Sequence, residues 1–234
     1  MPNSSPSYYD TLKRIAWLRS GVYLFHEIKR VFLDSGKRDQ EMVDCDYKTL
    51  DPFDCLSEKS SECYEKQLQA LDSVRCGTCF RRTLEIGCAE GVFTELLASR
   101  CKTLVAVDLS RVALRRAATR RIWGDHVSFD RFDLRQESIA VKFDLIIVSG
   151  VLEYFHRPTV LWAVRAKLVH ALSDGGFLLI DTTRANPVVE DAWWSNLIIR
   201  GARINQFFER HQNLKVVSRD STSICIQTLF RKIP

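Results

Sequence analysis

The chain lacks any apolar run approaching the ~20 residues needed to cross a bilayer. Lys13, Arg14, Arg19, Glu27, Lys29 and Arg30 break its N-terminal apolar stretch, and the same charges exclude a signal-peptide core. There is no internal repeat and no low-complexity segment. His26, His126, His170 and His211 share no metal-ligand spacing, so no metal site is expected. A strong charge imbalance is missing as well. The net charge of +5 permits an anionic partner without requiring one, since nucleic-acid binders usually concentrate their basic residues in a stripe.

What is present is an ordinary globular composition, with 46% hydrophobic and 27% charged residues. At 234 residues the chain is long enough for one domain of ample core with an appendage. Its eight cysteines, at 45, 55, 63, 76, 79, 88, 101 and 225, follow no secretory signal. Cys88 and Cys101 fall inside the expected βαβ unit, where free buried thiols are common, and a reducing, cytoplasmic compartment is expected. Cys76-Gly77-Thr78-Cys79 is a lone Cys-x-x-Cys. Zinc would need two more ligands, for which Cys55 and Cys63 are wrongly spaced, so spectator thiols are the expectation.

Residues 1–7 read as a disordered start. Leu12, Ile15, Leu18, Val22, Phe25, Ile28 and Phe32 recur at helical spacing between Tyr9 and Leu33. Such a helix caps a site or packs in a homodimer more often than it lies on a membrane. Residues 34–51 read as a loop, and 58–74 as a second helix. From Thr83 the pattern alternates. Strands are expected at 83–87, 103–108, 127–132, 143–149 and 176–182, and helices at 91–100, 110–122 and 158–172, with a broken helix near 190–210. Near-continuous apolar strands such as Leu145-Ile146-Ile147-Val148 indicate a parallel sheet buried on both faces. Residues 214–219 and 223–231 are joined by Asp220-Ser221-Thr222, short enough only for an antiparallel hairpin.

The chemistry concentrates in Leu84-Glu85-Ile86-Gly87-Cys88-Ala89-Glu90-Gly91, a strand, a small-residue turn and a helix start. At Gly87 the chain leaves its strand, where a Cβ would obstruct both the turn and a ligand. A dinucleotide fingerprint wants small residues at 89 and 92; Ala89 complies, but position 92 is Val and the small residue is Gly91. No Gly-x-x-x-x-Gly-Lys run marks a nucleoside triphosphate site. Asp108 follows Gly87 by 21 positions at the tip of the second strand, where a carboxylate accepts ribose hydroxyls. Phe132-Asp133-Leu134 ends the third strand, with an acid for an adenine amino group and apolar neighbours for the ring. Ser149-Gly150 ends the fourth, leaving Val151-Leu152-Glu153-Tyr154-Phe155-His156 over the mouth.

In this order Glu85-x-Gly87-x-x-x-Gly91, Asp108, Phe132-Asp133, Phe143-Asp144-Leu145-Ile146, Val151-Leu152-Glu153-Tyr154 and Asp174-Gly175-Gly176 resemble the motif series of class I S-adenosylmethionine-dependent methyltransferases. Leu84 to Ala98, Phe143 to Phe155 and Cys225 to Lys232 are most similar to nodulation-type N-methyltransferases, which act on aminosugar oligosaccharides. The resemblance implies a doubly wound α/β fold, a mostly parallel seven-stranded sheet closed by an antiparallel hairpin. Residues 1–57 would form a helical lid and 58–234 the S-adenosylmethionine-binding domain.

Carried over by position, Glu85, Gly87, Cys88, Ala89 and Gly91 would border the methionyl part of the cofactor. Asp108 with Leu109 would hold the ribose, Asp133 with Leu134 the adenine, and the backbone of Ser149 would lie near the sulfonium. The acceptor would be a small molecule, an amine or sugar nitrogen before a hydroxyl. Tyr154, His156 or Glu153 would take its proton, with Tyr154 and His156 ranked first. Each also has a plainer reading, His156 as a surface loop residue and Glu153 as a contact to the following helix. Arg111, Arg115, Arg116, Arg120 and Arg121 share one helix, either a solvated face or an anion contact. The anion reading would favour RNA methylation, but residues 149–152 read Ser-Gly-Val-Leu in place of the Asn/Asp-Pro-Pro-Tyr tetrapeptide. A non-catalytic binding protein on the same fold is the remaining rival. Trp193-Trp194 suits either sugar stacking or core packing.

Overall fold

The computed structural model describes residues 43–75, 77–120, 124–155, 157–184 and 201–234. The helix expected at 9–33, Cys76, Arg121, His156 and Trp193-Trp194 lie outside the described residues.

Helix α1 (Glu58–Arg75) precedes an alternation of β1 (Thr83–Ile86), α2 (Val92–Ala98), β2 (Leu104–Asp108), α3 (Arg111–Thr119), β3 (Val127–Arg131), β4 (Phe143–Ser149), α4 (Pro158–Ala171) and β5 (Leu172–Thr183). Helix α5 (Ala202–Glu209) then leads into β6 (Leu214–Ser221) and β7 (Cys225–Lys232). The seven strands run in the order β3-β2-β1-β4-β5-β7-β6. Strands β1 to β5 are parallel, while β7 is antiparallel to both β5 and β6. The expected sheet and closing hairpin are both present. Among the described residues no helix is long and apolar enough to cross a membrane.

Alternation along β4 explains its apolar run. Ile146 and Val148 pack on one face with Leu161, Leu168, Ile204 and Phe208 from α4 and α5. Leu145 and Ile147 pack on the other with Leu71 and Leu97 from α1 and α2. A strand covered on both sides has no solvent face on which polar residues would be favoured.

Three local details differ from the pattern. Strand β5 begins at Leu172, four residues earlier than expected, because Leu172 already pairs with Phe143; Ser173 to Gly176 then bulge out before Phe177 pairs with Leu145. Helix α3 ends at Thr119, short of 122. Within the expected loop at 34–51, residues 43–46 form a helical turn.

The cysteines need a correction. Cys63 of α1 and Cys225 of β7, 162 residues apart, are joined by a disulfide. Cys45, Cys55, Cys79, Cys88 and Cys101 are free. The pairing is invisible in the sequence because only the sheet order brings β7 under α1. Thr222 Oγ1 lies 3.1 Å from the Cys63 sulfur and 3.2 Å from that of Cys225.

Candidate functional site

β1 lies between β2 and β4, and successive connections leave it in opposite directions across the sheet. At such a switch point the loops after the strands part, opening a crevice at their carboxyl ends. There the chain encloses a cavity of about 480 Å³, a volume suited to a nucleoside-sized ligand.

The turn after β1 forms one wall. Gly87 has φ +85°, and a Cβ there would stand 2.3 Å from Val151 Cγ2 and 2.9 Å from the Ser149 carbonyl oxygen. Ala89 also adopts a left-handed conformation, with φ 49°. That costs an L-residue roughly 1–2 kcal/mol, which the fold offsets by binding its amide. The Ala89 N–H donates to Asp108 Oδ2 at 3.0 Å, and the Ser110 N–H donates to Asp108 Oδ1 at 2.8 Å. Burial pushes the Asp108 carboxyl up, while these backbone donors favour its charged form. Each carboxylate oxygen keeps lone-pair capacity for a further donor.

Glu85 is almost fully buried at the foot of the turn, and its Oε2 has no hydrogen-bond partner. Burial pushes its carboxyl up to about 8, partly offset by Thr94 and reinforced by Asp108. Cys88 and Leu109 complete this end of the cavity, and burial drives the Cys88 thiol well above its usual range. Gly91 caps α2 with φ 79°.

Farther along, Phe132, Asp133 and Leu134 line the wall after β3. Asp133 already accepts from the Arg135 backbone and guanidinium and from the Gln136 amide, at 3.0–3.2 Å. Arg135 thus fastens the loop that presents this acid.

The remaining wall is lined by Ser149, Gly150, Val151, Tyr154, Phe155, Asp181 and Thr183, with Tyr64, Cys63 and Cys225 from α1 and β7. Of the proton acceptors named from the sequence, Tyr154 lines the cavity and is 42% exposed. Glu153 accepts the Thr183 backbone N–H and binds the 3-10 turn Leu152–Tyr154 to the end of β5. It faces β5. Sequence reasoning missed Asp181, although it carries the signal used for Asp108: an acid closing an apolar strand.

The arginine helix is partly consumed inside the fold. Arg116 donates to the carbonyls of Tyr47 at 2.7 Å and Thr49 at 2.9 Å, and pairs with Glu90. Arg120 pairs with Glu95. Tyr47, buried against Phe53, is thereby held in the cavity lining.

Strand order, the left-handed turn after β1 and the acid at the tip of β2 define the fold of a class I S-adenosylmethionine-dependent methyltransferase. The family model of nodulation protein S matches residues 36–223, and the chain belongs to that family. It is 36% identical over 101 residues to nodulation protein S of Bradyrhizobium diazoefficiens, an alignment covering 43% of this chain and 48% of that protein. It is 32% identical over 133 residues to the Azorhizobium caulinodans protein, covering 56% and 64% respectively. The chain thus spans about half the length of the first of these curated relatives and under two thirds of the second. The crystal structure of the N-methyltransferase NodS from Bradyrhizobium japonicum WM9, in complex with S-adenosyl-L-homocysteine, superposes with TM-score 0.68 at 27% identity, covering 82% of this chain and 97% of that one.

Proposed function

We propose that this protein transfers the methyl group of S-adenosylmethionine to a small-molecule acceptor, an aminosugar nitrogen before a hydroxyl. The supporting observation is one continuous cavity lined both by Gly87, Asp108 and Asp133 and by Ser149, Tyr154 and Asp181. The donor end fits the cofactor. Its glycine leaves room that a Cβ would fill, and Glu85 offers a buried oxygen without a partner. Glu85, Asp108, Asp133 and Asp181 all line a cavity in a chain of net charge +5, an acidity complementary to a cationic donor.

When bound, S-adenosylmethionine supplies a methyl carbon on a sulfonium, so the acceptor lone pair forms the new bond as the carbon–sulfur pair returns to sulfur. The protein's work is alignment and exclusion of water. Asp108 holds the ribose, and Asp133 and Leu134 receive the adenine. Tyr47 and the segment around it cover the donor, clamped by Arg116. With Arg116 and Arg120 in ion pairs, the arginine helix lends less support to an RNA acceptor. Among the described residues, the five free cysteines support a cytoplasmic location, and the bridged pair argues against it.

The test is calorimetry with S-adenosylhomocysteine followed by methyl transfer from labelled donor to a glucosamine tetrasaccharide and to RNA. Binding with transfer to the saccharide supports the reading. Absence of cofactor binding overturns it in favour of a non-catalytic fold.

A further inference from the structure

We propose that Asp181 is the acceptor carboxylate of this cavity: it seats the acceptor amine as an ammonium ion and takes its proton. The inference rests on the methyl-transfer reading above and names the group that handles the acceptor.

Asp181 stands at the carboxyl end of β5, between Ser149 of β4 and Gln227 of β7 in the sheet register. Its side chain lines the cavity and is only 8% exposed. Oδ2 accepts the Ser149 hydroxyl at 3.0 Å. Oδ1 is buried beside Gln227, which favours the charged carboxylate, and makes no hydrogen bond of normal geometry. A carboxylate oxygen in that condition loses hydration without recovering a bond, and native interiors seldom leave one so. An orphan oxygen on a side chain that lines a cavity is explained by a donor that arrives with the ligand, after a small rotation of the carboxyl. An ammonium group fits: it brings three N–H donors and a compensating charge.

The surroundings suit proton exchange. Glu153 faces the same strand end from the 3-10 turn, and its charge opposes ionisation of Asp181. Ser149 and Gln227 are neutral, while Cys225 is bridged to Cys63 and does not titrate. Tyr154 lines the mouth, and Tyr64 and Glu85 line other walls. Burial, with Glu153 adding to it, pushes the Asp181 carboxyl up to about 7. A carboxyl poised there accepts and returns a proton near neutral pH. The balance is simple. An N–H bond of the ammonium breaks, the O–H bond on Asp181 forms, and a neutral amine with a free lone pair remains. The proton passes to water after product departure.

The bridge between α1 and β7 forms the wall beside Asp181. Gln227 donates to the Cys63 carbonyl at 2.8 Å and to the Cys225 sulfur at 3.3 Å. This network holds the β7 side of the acceptor end, so Asp181 stands in a fixed frame.

The test compares the parent protein with Asp181→Asn, using S-adenosylhomocysteine and a glucosamine tetrasaccharide as probes. Asp181→Asn is expected to keep S-adenosylhomocysteine affinity within about twofold of the parent. It should weaken tetrasaccharide binding to the S-adenosylhomocysteine complex at least tenfold and slow methyl transfer about a hundredfold, within the range for loss of a general base. Unchanged saccharide affinity and transfer in a variant that binds S-adenosylhomocysteine overturn the proposal. If that variant fails to fold, Ser149→Ala decides. Loss of the Ser149 hydroxyl should move the acid limb of the pH profile upward by about one unit, because a bond favouring the charged form is gone. An unmoved limb overturns the proposal. A parent protein that binds S-adenosylhomocysteine but neither binds nor methylates the saccharide also overturns it. A parent that binds no S-adenosylhomocysteine overturns the donor reading instead.

Discussion

The Asp108 carboxylate accepts the Ala89 backbone N–H at 3.0 Å, locking the tip of β2 to the turn that follows β1. One acid therefore both shapes the turn and lines the cavity. Its second oxygen holds the Ser110 amide, and Ser110 caps α3 through its own side chain. The turn after β1 and the start of the next helix share a single anchor.

Replacement of that anchor should be felt first in cofactor binding. Hydrogen bonds to charged groups contribute about 1.5–3 kcal/mol each, so Asp108→Ala is expected to weaken S-adenosylhomocysteine binding by about 10- to 100-fold. Calorimetry measures the affinity and circular dichroism checks that the sheet persists. An unchanged dissociation constant would remove Asp108 from the donor site.

Gly87 answers to two constraints at once. Its φ of +85° is strained for any L-residue, and its missing Cβ leaves room for Val151 and the Ser149 carbonyl. Gly87→Ala is expected to destabilise the protein by about 1–3 kcal/mol and to abolish detectable S-adenosylhomocysteine binding. Trimming the neighbour in Gly87→Ala/Val151→Ala should not restore it, since the backbone clash and positive φ remain. Full rescue in the double variant would show that side-chain crowding alone sets the requirement.

Glu85 links pH to both stability and binding. Burial pushes its folded carboxyl up to about 8, from an ordinary value of 4.5. A raised carboxyl contributes stability that is complete below the unfolded value and lost as pH rises through the folded one. Glu85→Gln should therefore melt above the parent at pH 8.5, by about 2–4 °C per kcal/mol recovered, with the gap closing toward pH 5. A cationic ligand beside Glu85 reverses the effect of burial and favours the carboxylate. S-adenosylmethionine binding at pH 7 should then release up to about one proton, seen as binding enthalpies that vary with buffer ionisation enthalpy. Buffer-independent enthalpies would contradict this.

Arg116 clamps the covering segment to α3 through the Tyr47 and Thr49 carbonyls and Glu90. Arg116→Ala should expose residues 43–57 to limited proteolysis at least tenfold faster, because two carbonyls and a carboxylate lose their donor. Saturating S-adenosylhomocysteine should slow that cleavage in the parent. Equal cleavage rates in parent and variant would show that the segment is held by Tyr47 packing alone.

Much of this was legible in the chain before it was folded. The apolar runs of β1, β2, β4 and β5 announce burial on both faces, since each residue's environment repeats within a few positions. Gly87 and Gly91 are backbone requirements that neighbouring residues state by themselves, and Asp108 is found by counting from the turn. Asp220-Ser221-Thr222 makes the hairpin unavoidable because three residues cannot span a parallel crossover. Local rules, acting over short separations, therefore determined the fold class and the donor end.

The acceptor end was decided by tertiary structure. Ser149 and Asp181 meet across 32 residues only because β4 and β5 are neighbours in register. Cys63 and Cys225 meet across 162 because β7 inserts between β5 and β6 beneath α1. The partner of Glu153, the Thr183 N–H, is likewise set by the neighbourhood of the 3-10 turn and the end of β5. Arg116 reads as a solvated cation until the segment before α1 folds back across α3. Periodicity and backbone preference are written in adjacent residues, whereas the partner of a polar side chain depends on which strands the crossovers place side by side.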